Sequence, residues 1–445
     1  MTAQAPSAAK TPRQYDGEIL ALAVPALGAL LAQPLFVLAD TAMVGHLGTR
    51  QLAGLGVATA LLMSGVNVFV FLAYATTAAV ARRIGAEDLP GAVRQGLDGI
   101  WLALALGGAV LAAGFPAAPR LVHAFGASAA AAPYAVDYLR VSVFGVPAML
   151  VVLASTGVLR GLQDTRTPLR VAAGGFGANA GLNACLVYGA GWGISGSAWG
   201  TVIAQWGMAA AHLHVVVRGA RRHGVSLRPD VAGVRACAHA GVPLLIRTLC
   251  LRAVTLVATG VATHLGDTDL AAHQIALSLW SLLALSLDAV AIAGQAIIGR
   301  YLGAGDRCGA RVACRRMVRW GIGAGAVLGL LLTVSSPLLV PLFTSDAAVR
   351  RTLAPVLLVV ACCQPVSGVV FVLDGVLMGA GDGPYLAWAM LATLLVFASV
   401  ALGVLACDGG LTALWWAMTL MITVRVLTLW PRARSGRWMV TGAVS

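Results

Sequence analysis

The sequence is poor in charge and almost free of lysine: charged residues make up 11% of its 445 positions, and Lys10 is the one lysine among 30 basic residues. A soluble domain carries about a quarter of its residues as charges, so this composition excludes an ordinary soluble protein. Hydrophobic residues reach 59%, and the mean hydropathy is +0.87. The net charge of +13 is therefore interpreted as loop charge beside membrane spans, and no nucleic-acid partner is expected.

Motifs of catalysis and of nucleotide binding are also lacking. The eight cysteines form no CxxC pair and no cluster with histidine, so we expect packing residues and no metal site. No GxxxxGK[ST] segment is present, which argues against ATP as the energy source. HExxH and GxSxG are missing too, and we predict no enzyme activity and no cofactor.

Long apolar runs fill most of the chain. A hydrocarbon core of about 30 Å needs roughly 20 apolar residues per helix, and backbone groups in lipid must bond within their own segment. The sequence therefore predicts an all-α integral membrane protein with twelve spans, near residues 18–46, 52–81, 93–115, 133–161, 169–190, 194–217, 237–265, 270–300, 317–342, 350–379, 385–406 and 411–431. With the N-terminus in the cytoplasm, 22 basic residues fall on that side and 5 on the other, which predicts that both termini are cytoplasmic.

The chain resembles itself at an offset of 218 residues. Residues that are rare in this composition align in one register, such as Pro25 with Pro243, His46 with His264 and Pro147 with Pro365. A duplication of six spans keeps the same orientation in both copies, so two such bundles related by an axis along the membrane normal suit alternating access. We predict an N-lobe at residues 1–217, a cytoplasmic linker at 218–236 and a C-lobe at 237–445.

Six segments together are similar to the multidrug and toxic compound extrusion family. They are PLFVLADTAMVG at 34–45, RGLQDTRTP at 160–168, NAGLN at 179–183, GISGSAWGT at 193–201, LDAVAIAGQ at 287–295 and LDGVLMG at 373–379, the last two resembling its DinF-like branch. The resemblance covers nearly the whole chain. It implies a monomeric antiporter in a bacterial cytoplasmic membrane that exports amphipathic, often cationic compounds in exchange for H⁺ or Na⁺.

Asp40 is the strongest candidate for ion coupling. It lies inside the first apolar run, where a carboxylate costs about 2.5–3.5 kcal/mol on insertion scales and so needs a partner, a water cavity or protonation. Its repeat mate, the residue 218 positions later in the second copy, is the uncharged Ala258. This difference predicts an ion site in the N-lobe alone. The family likewise places its principal coupling carboxylate on the first helix.

Two amides are predicted to accompany Asp40. Asn179 and Asn183 are spaced i, i+4 and share a helix face, where they could bond the carboxylate, ligate a cation or simply join helices. Related family members often have a carboxylate at the second position, so Asn183 leaves Asp40 as the main charge. By the resemblance, Tyr138 and Thr201 line the same site.

Other candidates carry more open interpretations. Pro25 is either a hinge of the first helix or a static kink, and Gln33, immediately before Pro34, is a candidate substrate contact. Arg247 and Asp288 lie at similar depth on an antiparallel hairpin, which predicts a structural ion pair. Asp374 is placed near the cytoplasmic end and is a candidate substrate-binding residue.

The alternatives are a lipid-linked precursor flippase of the same superfamily, another six-plus-six transporter and a polytopic lipid enzyme. A flippase would need more spans and a cationic cavity, and the enzyme would need clustered acidic or histidine residues in a loop. The choice between H⁺ and Na⁺ stays open at this point.

Overall fold

The chain folds into twelve long helices in the part that the computed structural model describes, residues 11–443, with the backbone alone at Pro12, Gln33 and Ala39. The helices are α1 (Pro12–Gly45), α2 (Thr49–Gly85), α3 (Leu89–Ala124), α4 (Ala132–Gly161), α5 (Arg166–Ala184), α6 (Gly193–Arg222), α7 (Val231–Leu265), α8 (Asp267–Gly303), α9 (Arg307–Phe343), α10 (Ala347–Gly379), α11 (Gly383–Ala406) and α12 (Gly410–Ser435). A 3₁₀ turn interrupts α2 at Val68–Val70 and α4 at Val143–Gly145, and a π-helical turn at Cys185–Gly189 extends α5.

The predicted all-helical membrane fold is confirmed, and each predicted span falls on one helix. Most helices run a turn or more beyond the apolar window, because a helix continues into the headgroup region after its apolar residues end. Eleven of the described helices are long and apolar enough to cross a membrane. The twelfth, α5, carries Asn179 and Asn183 on its buried face, and these amides lower its hydropathy together with Arg166 and Arg170 near its start.

The duplication is visible in the helix boundaries. α8 begins and ends 218 residues after α2, and the helix starts that follow are built alike. Asp88 caps α3 by accepting from the Gly91 N–H at 2.9 Å, and Asp306 caps α9 by accepting from the Gly309 N–H at 2.7 Å. A side-chain acceptor at this position satisfies a backbone donor that the first helical turn leaves unpaired.

Glycine permits the closest helix contacts in both halves. A Cβ on Gly157 of α4 would overlap the carbonyl oxygen of Ala73 in α2, and a Cβ on Gly375 of α10 would overlap that of Ala291 in α8. The two contacts are repeat mates. Small residues that let backbones approach are the usual basis of helix packing in membranes, so this contact belongs to the repeated scaffold.

The helices form two compact units whose limits differ from the predicted lobes. One unit contains the start of α1, as far as Leu27, together with the chain from Pro243 onward, and the other is Gly28–Val242. The helix ends also shorten the predicted linker, since α6 ends at Arg222 and α7 begins at Val231.

Ion pairs explain why the start of α1 belongs with the second half of the sequence. Arg316 on α9 holds Asp16 through two hydrogen bonds of 2.7 and 2.5 Å, and the Trp320 indole donates to the same carboxylate at 2.7 Å. Arg300 on α8 pairs with Glu18. These contacts lie at the ends of apolar helices. The sequence shows that charged residues occur there, but it does not show which of them pair.

The connection between the halves is held by the first half. Arg94 on α3 donates to the carbonyl oxygens of Ser226 at 3.0 Å and Arg228 at 2.9 Å. The Gln95 side chain donates to the Cys237 sulfur at 3.5 Å. The polar segment from 223 to 230 is therefore attached to α3, which accounts for the unit boundary at Val242.

Candidate functional site

Asp40 is buried in α1 among neutral hydrogen-bond donors. Its exposed fraction is 4%. Oδ2 accepts from the Tyr138 hydroxyl of α4 at 2.9 Å, and Oδ1 accepts from the Asn183 amide of α5 at 3.0 Å and from the Ser197 hydroxyl of α6. Among the described residues no arginine or histidine pairs with this carboxylate. Four helices thus converge on one acid that lacks a counter-ion.

The two asparagines form the layer behind Asp40. Asn179 donates to the Thr201 hydroxyl at 3.0 Å, and the amides of Asn179 and Asn183 approach each other at 3.4 and 3.5 Å. Gly200 of α6 has no side chain here, and a Cβ would overlap the Asn183 amide oxygen. The glycine therefore lets α6 lie close enough for Ser197 and Thr201 to reach the site.

Four of the predicted coupling residues, Tyr138, Asn179, Asn183 and Thr201, are 3% exposed or less and belong to this network. Sequence reasoning missed Ser197, although it lies inside the segment GISGSAWGT at 193–201. Its spacing of four from Thr201 puts both hydroxyls on one helix face, and that pattern was available as a signal.

A cavity opens beside the carboxylate within the same unit. It is narrow, with about 20 Å³ open to the centre of a water molecule, and is lined by Phe36, Val37, Asp40, Thr41, Thr59, Leu62, Met63, Tyr138, Thr201 and Gln205. The side-chain oxygen of Gln205, Oε1, is buried against Gly145 of α4 without a hydrogen-bond partner among the described residues. The side chain of Gln33, the predicted substrate contact, lies outside the described residues.

The second half has no copy of this site. The repeat mates of Asp40, Tyr138, Asn179 and Asn183 are Ala258, Val356, Phe397 and Ala401, and all four are at most 1% exposed. Apolar side chains therefore fill the space that the polar network occupies in the first half, as expected from the prediction of a site in the N-lobe alone.

The second half instead buries a cluster of three charges. Arg247 of α7 donates from Nε to Asp374 Oδ1 at 3.2 Å and from a terminal nitrogen to Oδ2. Arg425 of α12 lies 3.1 Å from the same Oδ2. The exposed fractions are 8% for Arg247, 4% for Asp374 and 6% for Arg425.

These contacts correct the expected surroundings of Asp374. A position near the cytoplasmic end of its span was predicted for Asp374, whereas the carboxylate is buried and enclosed by two guanidinium groups. A buried charge needs such partners, and depth counted along a helix could not reveal them. Its predicted role in substrate binding stays a prediction, as does the pairing of Arg247 with Asp288, which is half-buried on α8.

The prolines do not interrupt the helix that carries Asp40. α1 continues as helix through Pro25 and Pro34 to Gly45, and the boundary between the compact units falls two residues after Pro25, at Leu27. The hinge at Pro25 stays a prediction.

The site offers one carboxylate and neutral oxygens to a bound species. No group of three or more histidine, cysteine or acidic side chains that could hold a metal occurs among the described residues. A single carboxylate with hydroxyl and amide partners can take up one proton, or contribute ligands to one monovalent cation. It is the arrangement of a membrane transporter, where an ionisable group inside the span marks an ion or substrate pathway.

Comparison with known proteins gives the family. The MatE profile matches residues 25–185 and 243–402, once in each half. The chain is 32% identical to Protein DETOXIFICATION 44, chloroplastic, of Arabidopsis thaliana, over 95% of this chain and 83% of that protein. It is 28% identical to DNA damage-inducible protein F of Escherichia coli (strain K12), over 95% of this chain and 94% of the relative.

The fold agrees with this assignment. A solved outward-facing multidrug resistance MATE family transporter of the MOP superfamily superimposes with a TM-score of 0.84, at 21% identity and 95% coverage of both chains. The protein is thus a polytopic helical transporter. It belongs to the MatE family of multidrug and toxic compound transporters.

Proposed function

We propose that the protein is a secondary antiporter that exports amphipathic, often cationic compounds in exchange for protons by alternating access, with Asp40 as the coupling group. The single observation that carries the proposal is a buried carboxylate with three neutral donors and no basic partner among the described residues. Such an acid can change its charge without breaking an ion pair.

The opposing contributions at Asp40 are well matched to a switch. Removal from water penalises the ionised carboxylate, while three donated hydrogen bonds stabilise it. A small change in hydration or in donor geometry therefore shifts the balance between the charged and neutral forms. Asp374 differs, because Arg247 and Arg425 lie against it and a change in its charge would break both ion pairs.

The ligand set favours a proton over sodium. One carboxylate suffices for a proton, whereas a hard cation takes about six oxygen ligands. Asn179, Asn183, Ser197 and Thr201 could supply oxygens, but their hydrogen bonds are directed at Asp40 and at one another. Sodium coupling is the alternative that the transport assay below separates.

The residues that line the narrow cavity beside Asp40 have the chemistry expected of contacts with an amphipathic cation. Phe36, Leu62 and Met63 provide apolar and polarisable walls, and Asp40 provides an acceptor. Concave apolar walls with a few polar groups are typical of small-molecule sites. A methionine and an aromatic ring also tolerate ligands of different shapes, which fits broad export specificity.

A lipid-linked precursor flippase is the second candidate from the sequence. That function would call for a cationic cavity, and the buried arginines Arg247 and Arg425 are its best source. Both lie against Asp374, which partly neutralises them. The cavity beside Asp40 is lined by this carboxylate and by no arginine. An acidic cavity favours the exporter of cationic compounds over the flippase.

We further propose a bacterial cytoplasmic membrane, by analogy with the Escherichia coli relative, and cytoplasmic ends for both termini, on the 22-to-5 division of basic residues. Reporter fusions at each terminus test this. Activity of a cytoplasm-dependent reporter at both ends is expected, and a periplasmic signal at either end contradicts the topology.

The deciding experiment uses reconstituted vesicles, a fluorescent cationic dye and an imposed pH gradient without sodium. Wild type should export the dye, and Asp40→Asn should not, because the amide keeps the shape but cannot titrate. Asp137→Asn is the matched control: it removes an exposed carboxylate from α4, next to Tyr138, and should export normally.

Two results would contradict the proposal. Full export by Asp40→Asn would remove Asp40 from coupling. Wild-type export that needs a sodium gradient would replace the proton by sodium.

A further inference from the structure

The first turns of α9 carry four arginines on one face. Arg307, Arg311, Arg315 and Arg319 follow one another at intervals of four and all are exposed. Residues four apart are neighbours on a helix surface, and each step turns by only about 40°. The four guanidinium groups therefore form a stripe about 18 Å long, which we call the arginine stripe.

The stripe lacks counter-ions within the described chain. None of its four members has an acidic partner there, whereas their neighbour Arg316, on another face, is paired with Asp16 at 2.5 Å. Four like charges on one face repel one another, so the stripe costs stability unless something negative lies against it.

The other half of the sequence shows that the fold does not require these charges. The repeat mates of the stripe on α3 are Leu89, Val93, Leu97 and Trp101. Val93 is 5% and Leu97 4% exposed, and the Trp101 indole donates to the Leu227 carbonyl at 3.1 Å. One copy of this face is thus apolar and covered by its own chain, while the other is basic and open.

The same face of α9 becomes apolar beyond the stripe. Leu330 lies 11 residues after Arg319, within about 20° of it around the helix, and is 64% exposed; Val334, about 60° away, is 69% exposed. Only 11% of the most apolar 18-residue stretch of α9 is buried. These side chains are suited to lipid tails, so Arg319, at the end of the stripe, lies on the side of the helix that a bilayer covers.

The length of α9 puts the stripe at headgroup depth. The helix has 37 residues, or about 55 Å, whereas the hydrocarbon core takes about 20 residues. The uncharged part, residues 321–343, fills that core. Arg315 and Arg319 then lie within the adjoining interfacial layer, and Arg307 and Arg311 lie just outside it.

We propose that the arginine stripe is a docking surface for the phosphate headgroups of anionic phospholipids in the leaflet that surrounds the start of α9. Charge complementarity selects the partner, since guanidinium forks match phosphate oxygens with two parallel hydrogen bonds. A leaflet rich in anionic lipid attracts each nearby basic residue by about 1 kcal/mol, or about fivefold. The two arginines at headgroup depth together give a preference of about 25-fold.

The test measures lipid retained by the detergent-purified full chain. Protein is equilibrated with equal amounts of phosphatidylglycerol and phosphatidylcholine of identical acyl chains, and bound lipid is counted by native mass spectrometry. The stripe variant replaces all four side chains by glutamine: Arg307→Gln, Arg311→Gln, Arg315→Gln and Arg319→Gln. The control variant removes the same charge from other exposed arginines: Arg218→Gln, Arg221→Gln, Arg222→Gln and Arg235→Gln.

The stripe variant should lose at least about fivefold of the preference for phosphatidylglycerol, and the control should stay within twofold of wild type. Lysine at the four stripe positions should retain most of it, and 0.5 M salt should weaken it. Equal losses in the stripe and control variants overturn the proposal, because the attraction would then be a property of net charge. An unchanged lipid preference combined with lost binding of a labelled oligonucleotide also overturns it.

Discussion

Removal of the Asp374 carboxylate should destabilise the second half of the protein more than any other single charge deletion there. In Asp374→Asn the side-chain shape is kept, but Arg247 loses both hydrogen bonds to a carboxylate, and Arg425 loses its neighbouring charge. The two guanidinium groups are then left buried and mutually repulsive. Breaking one buried pair costs about 3–5 kcal/mol, and one carboxylate serves two partners here, so we expect the upper end.

The assay follows the fraction of monodisperse protein after heating in mild detergent, since unfolding of a polytopic protein is expected to be irreversible. Asp267→Asn is the control because Asp267 is exposed at the start of α8; its loss should be small. A triple variant, Arg247→Met, Asp374→Leu and Arg425→Met, should recover much of the stability, because apolar replacement of a whole buried charge cluster is often neutral or favourable.

Two results would refute this reasoning. If Asp374→Asn resists heating as well as wild type, the carboxylate does not hold the arginines in place. If the triple variant is no more stable than Asp374→Asn, the loss arises from packing rather than from unpaired charge.

Three further outcomes are expected. If Arg247 and Asp288 are paired, the double variant Arg247→Asp with Asp288→Arg should yield more folded protein than either single variant. A double variant that yields no more than the single variants would contradict the pairing. Leucine at Gly157 or Gly375 should abolish folded yield, since a side chain would enter the backbone of the facing helix; normal yield from either variant contradicts the close contact. The hydrogen bond from the Gly91 N–H lowers the pKa of Asp88 below its usual value, so this cap stabilises above the unfolded pKa of about 3.9 and its contribution is lost as pH falls through the lower folded pKa. Asp88→Ala should therefore cost about 1 kcal/mol at pH 7 and nothing in strong acid, and a difference from wild type that persists there would contradict the role of the charge.

The helices and the first-half site were predictable because they leave strong local patterns. Apolar runs gave the twelve helices, and the register of rare residues gave the repeat. A lone carboxylate in an apolar run marked Asp40, and the amide pair at i, i+4 marked Asn179 and Asn183. Ser197 was missed, since a serine in a glycine-rich helix has many interpretations and only its spacing from Thr201 was informative.

The second-half charges show where such reasoning ends. Counting residues along the α7–α8 hairpin gives depth, but not the direction in which a side chain leaves its helix. Arg247 meets Asp374 from α10, 127 residues away in sequence, a contact that needs the packing of helices that are not sequence neighbours. The compact units differ from the predicted lobes for the same reason, because the start of α1 is joined to the second half by ion pairs such as that of Asp16 with Arg316.

The confinement of the titratable network to one half limits what the transporter can accomplish in a cycle. If Asp40 is the coupling group, a single proton enters for each substrate that leaves. For a neutral compound, one charge crossing 100 mV supplies about 2.3 kcal/mol, or roughly a 50-fold concentration ratio. For a monovalent cation the exchange moves no net charge, so the membrane potential contributes nothing and each unit of pH difference gives about tenfold. The concentration ratio reached for a cationic substrate should then rise with the pH difference across the membrane. Removing the membrane potential should leave that ratio unchanged.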